Sequence, residues 1–170
     1  MQRVLVIGIC GAGKSTFASA LAAKTRLPLI HLDKEFWQPG WVETPRSAWR
    51  AKVEHLAARE QWIMDGNYAG SLDLRLARAD TVIMFDYPTT RCLGRVLRRV
   101  IGSYGKVRGD AGEGCPERFD VAFLRYVRTF NAKERPKSLA ALEQHGQHIR
   151  PVVFRRDREV KRFLDSVPPS

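Results

Sequence analysis

One stretch constrains this chain more than any other: VLVIGICGAGKST, residues 4–16, begins as an apolar run of strand composition and breaks abruptly into glycine, lysine and hydroxyls. Gly8-Ile9-Cys10-Gly11-Ala12-Gly13-Lys14-Ser15 fits G-x-x-x-x-G-K-[ST], a pattern that demands a strand before it and a helix after it. Glycines remove Cβ atoms, so successive backbone N–H groups can face one anion, and the following helix adds the positive end of its dipole. Polyphosphate is the ligand such a cradle takes. Gly8, Gly11, Ala12 and Gly13 are the expected cradle, Lys14 bridges the β- and γ-phosphates, the Ser15 hydroxyl coordinates magnesium, and Thr16 adds a contact on the α-phosphate side. ATP and Mg2+ are the expected cofactors.

The rest of the chain reads as the α/β frame this loop requires. Apolar runs of strand length recur at 4–7, 29–32, 62–64, 82–85 and 152–154, separated by stretches long enough for helices. Strands alternating with helices, and apolar on both faces, predict a parallel sheet covered on each side. A helix is expected over 14–24. Thr44-Pro45 reads as N-cap and first turn of the next, with Trp49, Val53, Leu56 and Ala57 at helical spacing. A third begins near Thr89, with Leu93, Val96, Leu97, Val100 and Ile101 on one face and Arg91, Arg95, Arg98 and Arg99 on the other. Pro136 is expected to interrupt a helix, and Val160, Phe163, Leu164 and Val167 predict a C-terminal one. Residues 102–119 hold five glycines and one proline with almost no apolar periodicity, which predicts a long loop acting as a lid.

At 170 residues one domain over 1–170 is expected. No run approaches the roughly 20 apolar residues of a membrane span, and the first apolar run leads straight into glycines, so the expected address is cytoplasmic. Cys10, Cys92 and Cys115 are odd in number and lack C-x-x-C pairing, which argues against a disulfide framework or a zinc site. Lys and Arg number 29 against 18 Asp and Glu, a net +11. That excess means a nucleic-acid surface or a pocket of phosphate-binding arginines, and composition does not separate the two.

Three aspartates follow strand-like runs: Asp33 in LIHLD, Asp65 in WIMD and Asp86 in VIMFD. Ligands of open α/β sheets bind outside the carboxyl ends of the strands, so these carboxylates share a rim with the loop. Asp65 is the expected metal carboxylate. Asp33 belongs across from the γ-phosphate, as general base or acceptor-holding group. Asp86, before Tyr87-Pro88, reads as an end-of-strand turn.

GICGAGKST, HLD, MDGNY, FDYPTTRCLGRVLRR and CPERFD together resemble small bacterial P-loop proteins related to adenylate kinase, the family described as DNA topology modulation proteins. The resemblance covers nearly the whole chain. It implies a P-loop NTPase fold of the nucleoside/nucleotide kinase type: five parallel strands in order 2-3-1-4-5, helices on both faces, and a lid at about 102–119. It places Arg95 and Arg99 at the adenine ring and phosphates, with Arg91 and Arg98 on the same face. Arg108 and Arg118 become lid arginines closing over the transferring group, Arg125 and Arg128 are candidates for the same cleft, and Arg155 and Arg156 for the adenine edge. These arginines are expected to account for much of the +11.

The chain also departs from its relatives. Monophosphate kinases commonly carry an acceptor-gripping arginine shortly after the third strand's Asp-Gly, whereas Asp65-Gly66 is followed by Asn67-Tyr68-Ala69-Gly70, and the next arginine is Arg75. A monophosphate acceptor is already ionised and needs no base; a hydroxyl would need Asp33 to take its proton. Of Trp37, Trp41 and Trp49, one is expected at an acceptor pocket and at least two in packing. The leading expectation is an ATP- and magnesium-dependent phosphotransferase acting on a nucleotide, nucleoside or other small molecule, with Lys14, Asp33, Arg99 and Arg118 catalytic and no membrane partner. A monomer or weak dimer is expected. The alternative is a nucleic-acid-associated ATP-binding protein with slow or no transfer.

Overall fold

The computed structural model describes residues 1–168. In chain order the elements are β1 (Arg3–Gly8), α1 (Lys14–Thr25), β2 (Leu29–His31), α2 (Leu32–Phe36), β3 (Trp37–Gln38), β4 (Val42–Glu43), α3 (Arg46–Ala57) and β5 (Trp62–Asp65). A single 3-10 turn (Ala69–Ser71) then leads to α4 (Leu72–Leu76), β6 (Thr81–Phe85), α5 (Thr89–Ser103), α6 (Val121–His145), β7 (Val152–Phe154) and α7 (Asp157–Ser166). The main sheet runs β2-β5-β1-β6-β7, every pair parallel. Counting only its own strands, that is the expected order 2-3-1-4-5.

Alternation along the central strands builds two cores from one sheet. Val4 and Val6 of β1, Ile63 of β5 and Ile83 and Phe85 of β6 face Phe17, Ala18 and Leu21 of α1 and Cys92, Val96 and Val100 of α5. Leu5, Ile7, Trp62, Met64, Val82 and Met84 face Trp49, Val53 and Leu56 of α3 and Leu72 and Leu76 of α4. A strand buried on both faces has no room for polar alternation, which is why these runs are continuously apolar. The order reverses beside β1, so the crevice opens at the end of that strand, where the glycine-rich turn begins.

Four local expectations are corrected. Asp33 does not end a strand, because β2 stops at His31 and Asp33 lies in the first turn of α2. Pro45, not Thr44, is the N-cap of α3; the Thr44 hydroxyl instead donates to the Phe36 carbonyl and ties β4 back to α2. Pro136 does not break α6. Its ring costs the hydrogen bond to the carbonyl of Ala132, an exposed residue that water can serve, while Val127, Phe130 and Leu142 anchor the helix on both sides of it. On α5 the apolar stripe is Cys92, Val96 and Val100, and Ile101 is 81% exposed.

The glycine-rich segment, 104–120, lies between α5 and α6; Gly102 and Ser103 close the helix instead. A Val107–Pro116 bridge draws it together. It docks on the β3–β4 hairpin: Gly40 N–H donates to the Gly114 carbonyl at 2.9 Å, Trp41 Nε1 to the Pro116 carbonyl at 3.0 Å and Cys115 Sγ to the Gln38 carbonyl at 3.2 Å. A Cβ on Gly112 would stand 2.6 Å from the Trp37 carbonyl, so this approach requires glycine. Among the described residues no helix is long and apolar enough to cross a membrane.

Candidate functional site

The turn after β1 is held by what surrounds it. Gly8, at φ 125, lies against β6, where a Cβ would meet the Phe85 carbonyl at 2.2 Å. Asn67 Oδ1 accepts from its N–H at 2.8 Å, so this amide is occupied by the loop after β5. Gly11, Gly13, Lys14, Ser15 and Thr16 line a cavity of about 870 Å³. Gly8 and Ala12, also expected in the cradle, are not among the residues lining it. Lys14 is largely buried, and its ammonium donates to the Ile9 carbonyl at 3.1 Å.

At the sheet's carboxyl end, Asp65 Oδ2 pairs with His31 Nδ1 at 3.0 Å. Asp65 Oδ1 is buried without a hydrogen-bond partner. An uncompensated carboxylate oxygen on a cavity lined by a polyphosphate loop suits a cation, and Ser15 supplies a hydroxyl to the same cavity. Among the described residues no group of three or more His, Cys, Asp or Glu could hold a metal alone, so a magnesium ion here would need the nucleotide's oxygens as well. Ser15 and Asp65 fit that sharing.

Asp33 lies across the cavity. Tyr68 Oη donates to its Oδ1 at 2.6 Å. Burial pushes the Asp33 carboxyl up, against the opposing pull of the Tyr68 hydrogen bond, with Asp65 adding to the rise and Lys14 and Arg108 countering it. Tyr68 itself is held protonated by burial and by the Asp33 charge. Tyr68 sits at φ 38 and Trp41 at φ 64, left-handed backbone that costs a bulky residue on the order of 1–3 kcal/mol. Both are aromatic residues of the cavity wall.

Arg95, Arg99, Arg108 and Arg118 all line the cavity, and each meets a carboxylate. Glu117, itself buried, accepts from Arg99 Nη2 at 3.2 Å and forms an ion pair with Arg108, whose Nε lies 2.8 Å from its carboxylate. Arg108 also pairs with Asp110 at 3.0 Å. Burial works against the Asp110 charge, yet Arg108 and the Ser15 hydroxyl hold its carboxyl below the usual range. Arg118 lies 5.8 Å over the Trp41 ring and 3.5 Å from Asp120. Arg95 pairs with Asp157 at 2.8 Å and its guanidinium lies over Tyr87, which donates to the same carboxylate. Arg91 also reaches Asp157.

Other expected cleft residues lie elsewhere. Arg98, Arg125 and Arg128 are exposed and outside the cavity; α6 presents Phe123, Tyr126 and Glu134 to it instead. Arg155 and Arg156 are also outside, Arg156 as the N-cap of α7. Asp86 takes Arg135 through two bonds of 2.7 and 2.9 Å, a structural pair at the strand end. Trp37 and Trp41 both line the cavity, and Trp49 alone is core. Arg75 is fully buried and donates to the carbonyls of Gly66 at 2.9 Å, Tyr68 at 2.9 Å, Ser71 at 3.3 Å and also Asn67. The cavity is lined by seven carboxylates against five Lys and Arg side chains, so the +11 excess lies outside it. The sequence assigns no role in the site to Asn67, Tyr68, Glu117 or Asp110, although Asn67 and Tyr68 lie in MDGNY and Glu117 in CPERFD.

The α/β architecture is that of small P-loop kinases, a fold class that the solved structures share. A shikimate kinase from Bacteroides thetaiotaomicron superposes with a TM-score of 0.51 at 14% identity, covering 96% of this chain and 94% of that one. A gluconokinase from Sinorhizobium meliloti 1021 gives 0.53 at 18%, covering 98% and 93%. No protein-family model and no curated protein matches the chain.

Proposed function

We propose that this chain is an ATP- and magnesium-dependent phosphotransferase acting on a small acceptor. One observation carries the reading: the Lys14 loop, the unpartnered Asp65 oxygen, Asp33 and four arginines converge on one cavity from separate parts of the sequence. The amides of Gly11, Gly13, Lys14 and Ser15 and the Lys14 ammonium bind the triphosphate, and Arg95, paired with Asp157, is assigned to the nucleoside end. Ser15 and Asp65 would hold the magnesium ion, which would supply neutralising positive charge to the triphosphate. Arg99 and Arg108 exchange Glu117 for the oxygens of the transferring group, a set of charge-assisted bonds fixed in place before charge develops. The docked 104–120 segment excludes water from that site. Calorimetry with ATP and magnesium, together with ADP formation on an acceptor panel, tests the reading; folded protein that takes up no nucleotide overturns it.

A second reading rests on the charge outside the cavity. Arg98, Arg125 and Arg128 are exposed on α5 and α6, and a nucleic-acid-associated ATP-binding protein would use such residues. It requires DNA or RNA affinity that falls steeply with salt.

A further inference from the structure

The part of the cavity beneath the β3–β4 hairpin is built from aromatic rings and carboxylates. Trp37, Trp41 and Tyr68 line it, with Glu43 paired in register to Trp37 and Asp33 bonded to Tyr68. We infer that the acceptor is an uncharged, ring-bearing alcohol whose hydroxyl proton is taken by Asp33, an inference that rests on the phosphotransferase reading above and names its substrate class.

Three observations carry it. First, the arginine that follows the Asp65-Gly66 step does not reach an acceptor phosphate. Arg75, the first arginine after the Asp65-Gly66 step, is enclosed and bound to four backbone carbonyls. Arg99 and Arg108 face the phosphate side through Glu117, and Arg118 stacks on Trp41 beside Asp120. Second, a monophosphate dianion placed beside Asp33 would meet its carboxylate, and like charges a few ångströms apart repel in a partly desolvated site. Third, among the described residues the side-chain hydrogen bond to Asp33 comes from Tyr68 on Oδ1, which fixes the carboxylate and leaves Oδ2 to accept from a substrate hydroxyl. Aromatic walls with a carboxylate at one end bind a ring by stacking and a hydroxyl by hydrogen bonding.

The transfer balances without any further reactant. The acceptor oxygen forms a bond to the γ-phosphorus as the bond from that phosphorus to the β,γ-bridging oxygen breaks. The hydroxyl proton passes to Asp33 and then to water, leaving a phosphate monoester and ADP.

A nucleoside and a sugar or cyclitol share this chemistry, and the experiment separates them. The full chain is given ATP and magnesium with nucleosides, pentoses, hexoses and cyclitols, each beside its monophosphate, and with carboxylate-bearing sugar acids; ADP formation is followed, and ATP binding is measured by calorimetry on the same material. The expected result is transfer to an uncharged alcohol, with the preferred arm identifying base or sugar, and a fall of at least about 100-fold in kcat for Asp33→Asn while the KM for ATP stays within about twofold. Faster transfer to a monophosphate or to an acid, an unaffected Asp33→Asn, or ATP binding with no alcohol of the panel phosphorylated each overturns the acceptor assignment. Absence of ATP binding overturns the nucleotide reading instead.

Discussion

Replacing Arg75 with methionine separates two roles that the sequence leaves equivalent, a grip on the acceptor and a staple for the loop that carries Asn67 and Tyr68. The guanidinium is 0% exposed and donates to four carbonyls between Gly66 and Ser71. Burial pulls it down to about 9, still charged at neutral pH. Hydrogen bonds to a charged donor are each worth about 1.5–3 kcal/mol net, and a buried carbonyl left unmatched costs about 1–3 kcal/mol. Methionine recovers part of this through apolar burial and through the desolvation no longer imposed on a charge. The net loss should be about 3–5 kcal/mol. For a chain of this size each kcal/mol moves Tm by roughly 2–4 °C, so thermal unfolding followed by circular dichroism should fall by roughly 10 °C. Arg75→Lys keeps the charge but not the planar fork, and should recover less than half of the loss. Well below the transition, ATP affinity should stay within about threefold of wild type. An Arg75→Met protein that melts within about 2 °C of wild type yet fails to transfer phosphate would refute the staple and return Arg75 to the acceptor.

Lys14 makes a single protein hydrogen bond, to the Ile9 carbonyl; Lys14→Ala should therefore leave Tm nearly unchanged while transfer drops by more than about 100-fold, and wild-type turnover in that variant would remove the lysine from the mechanism. Glu117→Gln removes the charge that competes with phosphate for Arg99 and Arg108, so calorimetry should show ATP binding tightened about 3- to 10-fold, and weaker binding would mean that Glu117 orients the arginines instead of restraining them. The Arg135 hydrogen bond and charge hold the Asp86 carboxyl below its ordinary 3.8. A depressed carboxylate contributes stability fully above its unfolded value and loses it as pH falls through the folded one, so the wild-type advantage over Asp86→Asn in urea should be full at pH 6–7 and decline progressively as pH falls below about 3.8. An advantage that persists undiminished at pH 2.5 would show that the pair is not its source.

The parts of this molecule legible in its sequence are those fixed by spacing along the chain. The Lys14 loop could be read because a nine-residue turn must place glycine where Gly8 and Gly11 meet β6 and α5, and a hydroxyl and a lysine at the start of the following helix. The central strands could be read because burial on both faces leaves only apolar residues to write them with. Tyr68 and Asp33 are 35 residues apart and meet only because β2 and β5 lie side by side; nothing local to either marks the pair. Arg75 has the composition of a surface residue and the environment of a core one. α5 shows the same limit on a helix: Arg95 and Arg98 are only three residues apart, yet the roll of α5 on the sheet sends one into the cavity and leaves the other exposed.

The charge count fails for a related reason, and its failure bears on the acceptor. A net +11 with arginines clustered after position 90 reads as a basic cleft, but Arg95, Arg99, Arg108 and Arg118 each lie against an aspartate or glutamate, three of which come from the 104–120 segment, where no periodicity announces a site. Charge summed over a sequence weighs a paired and an exposed arginine equally, whereas a bound ligand feels only the charge left after local pairing in a partly desolvated space. With carboxylates in the majority around this cavity, the attraction for a polyphosphate is concentrated at the amides and lysine of the loop and at the metal it carries in. An anionic second substrate would have no such refuge beside the Asp33 carboxylate. The balance that makes the net charge misleading is the same one that selects an uncharged alcohol over a monophosphate.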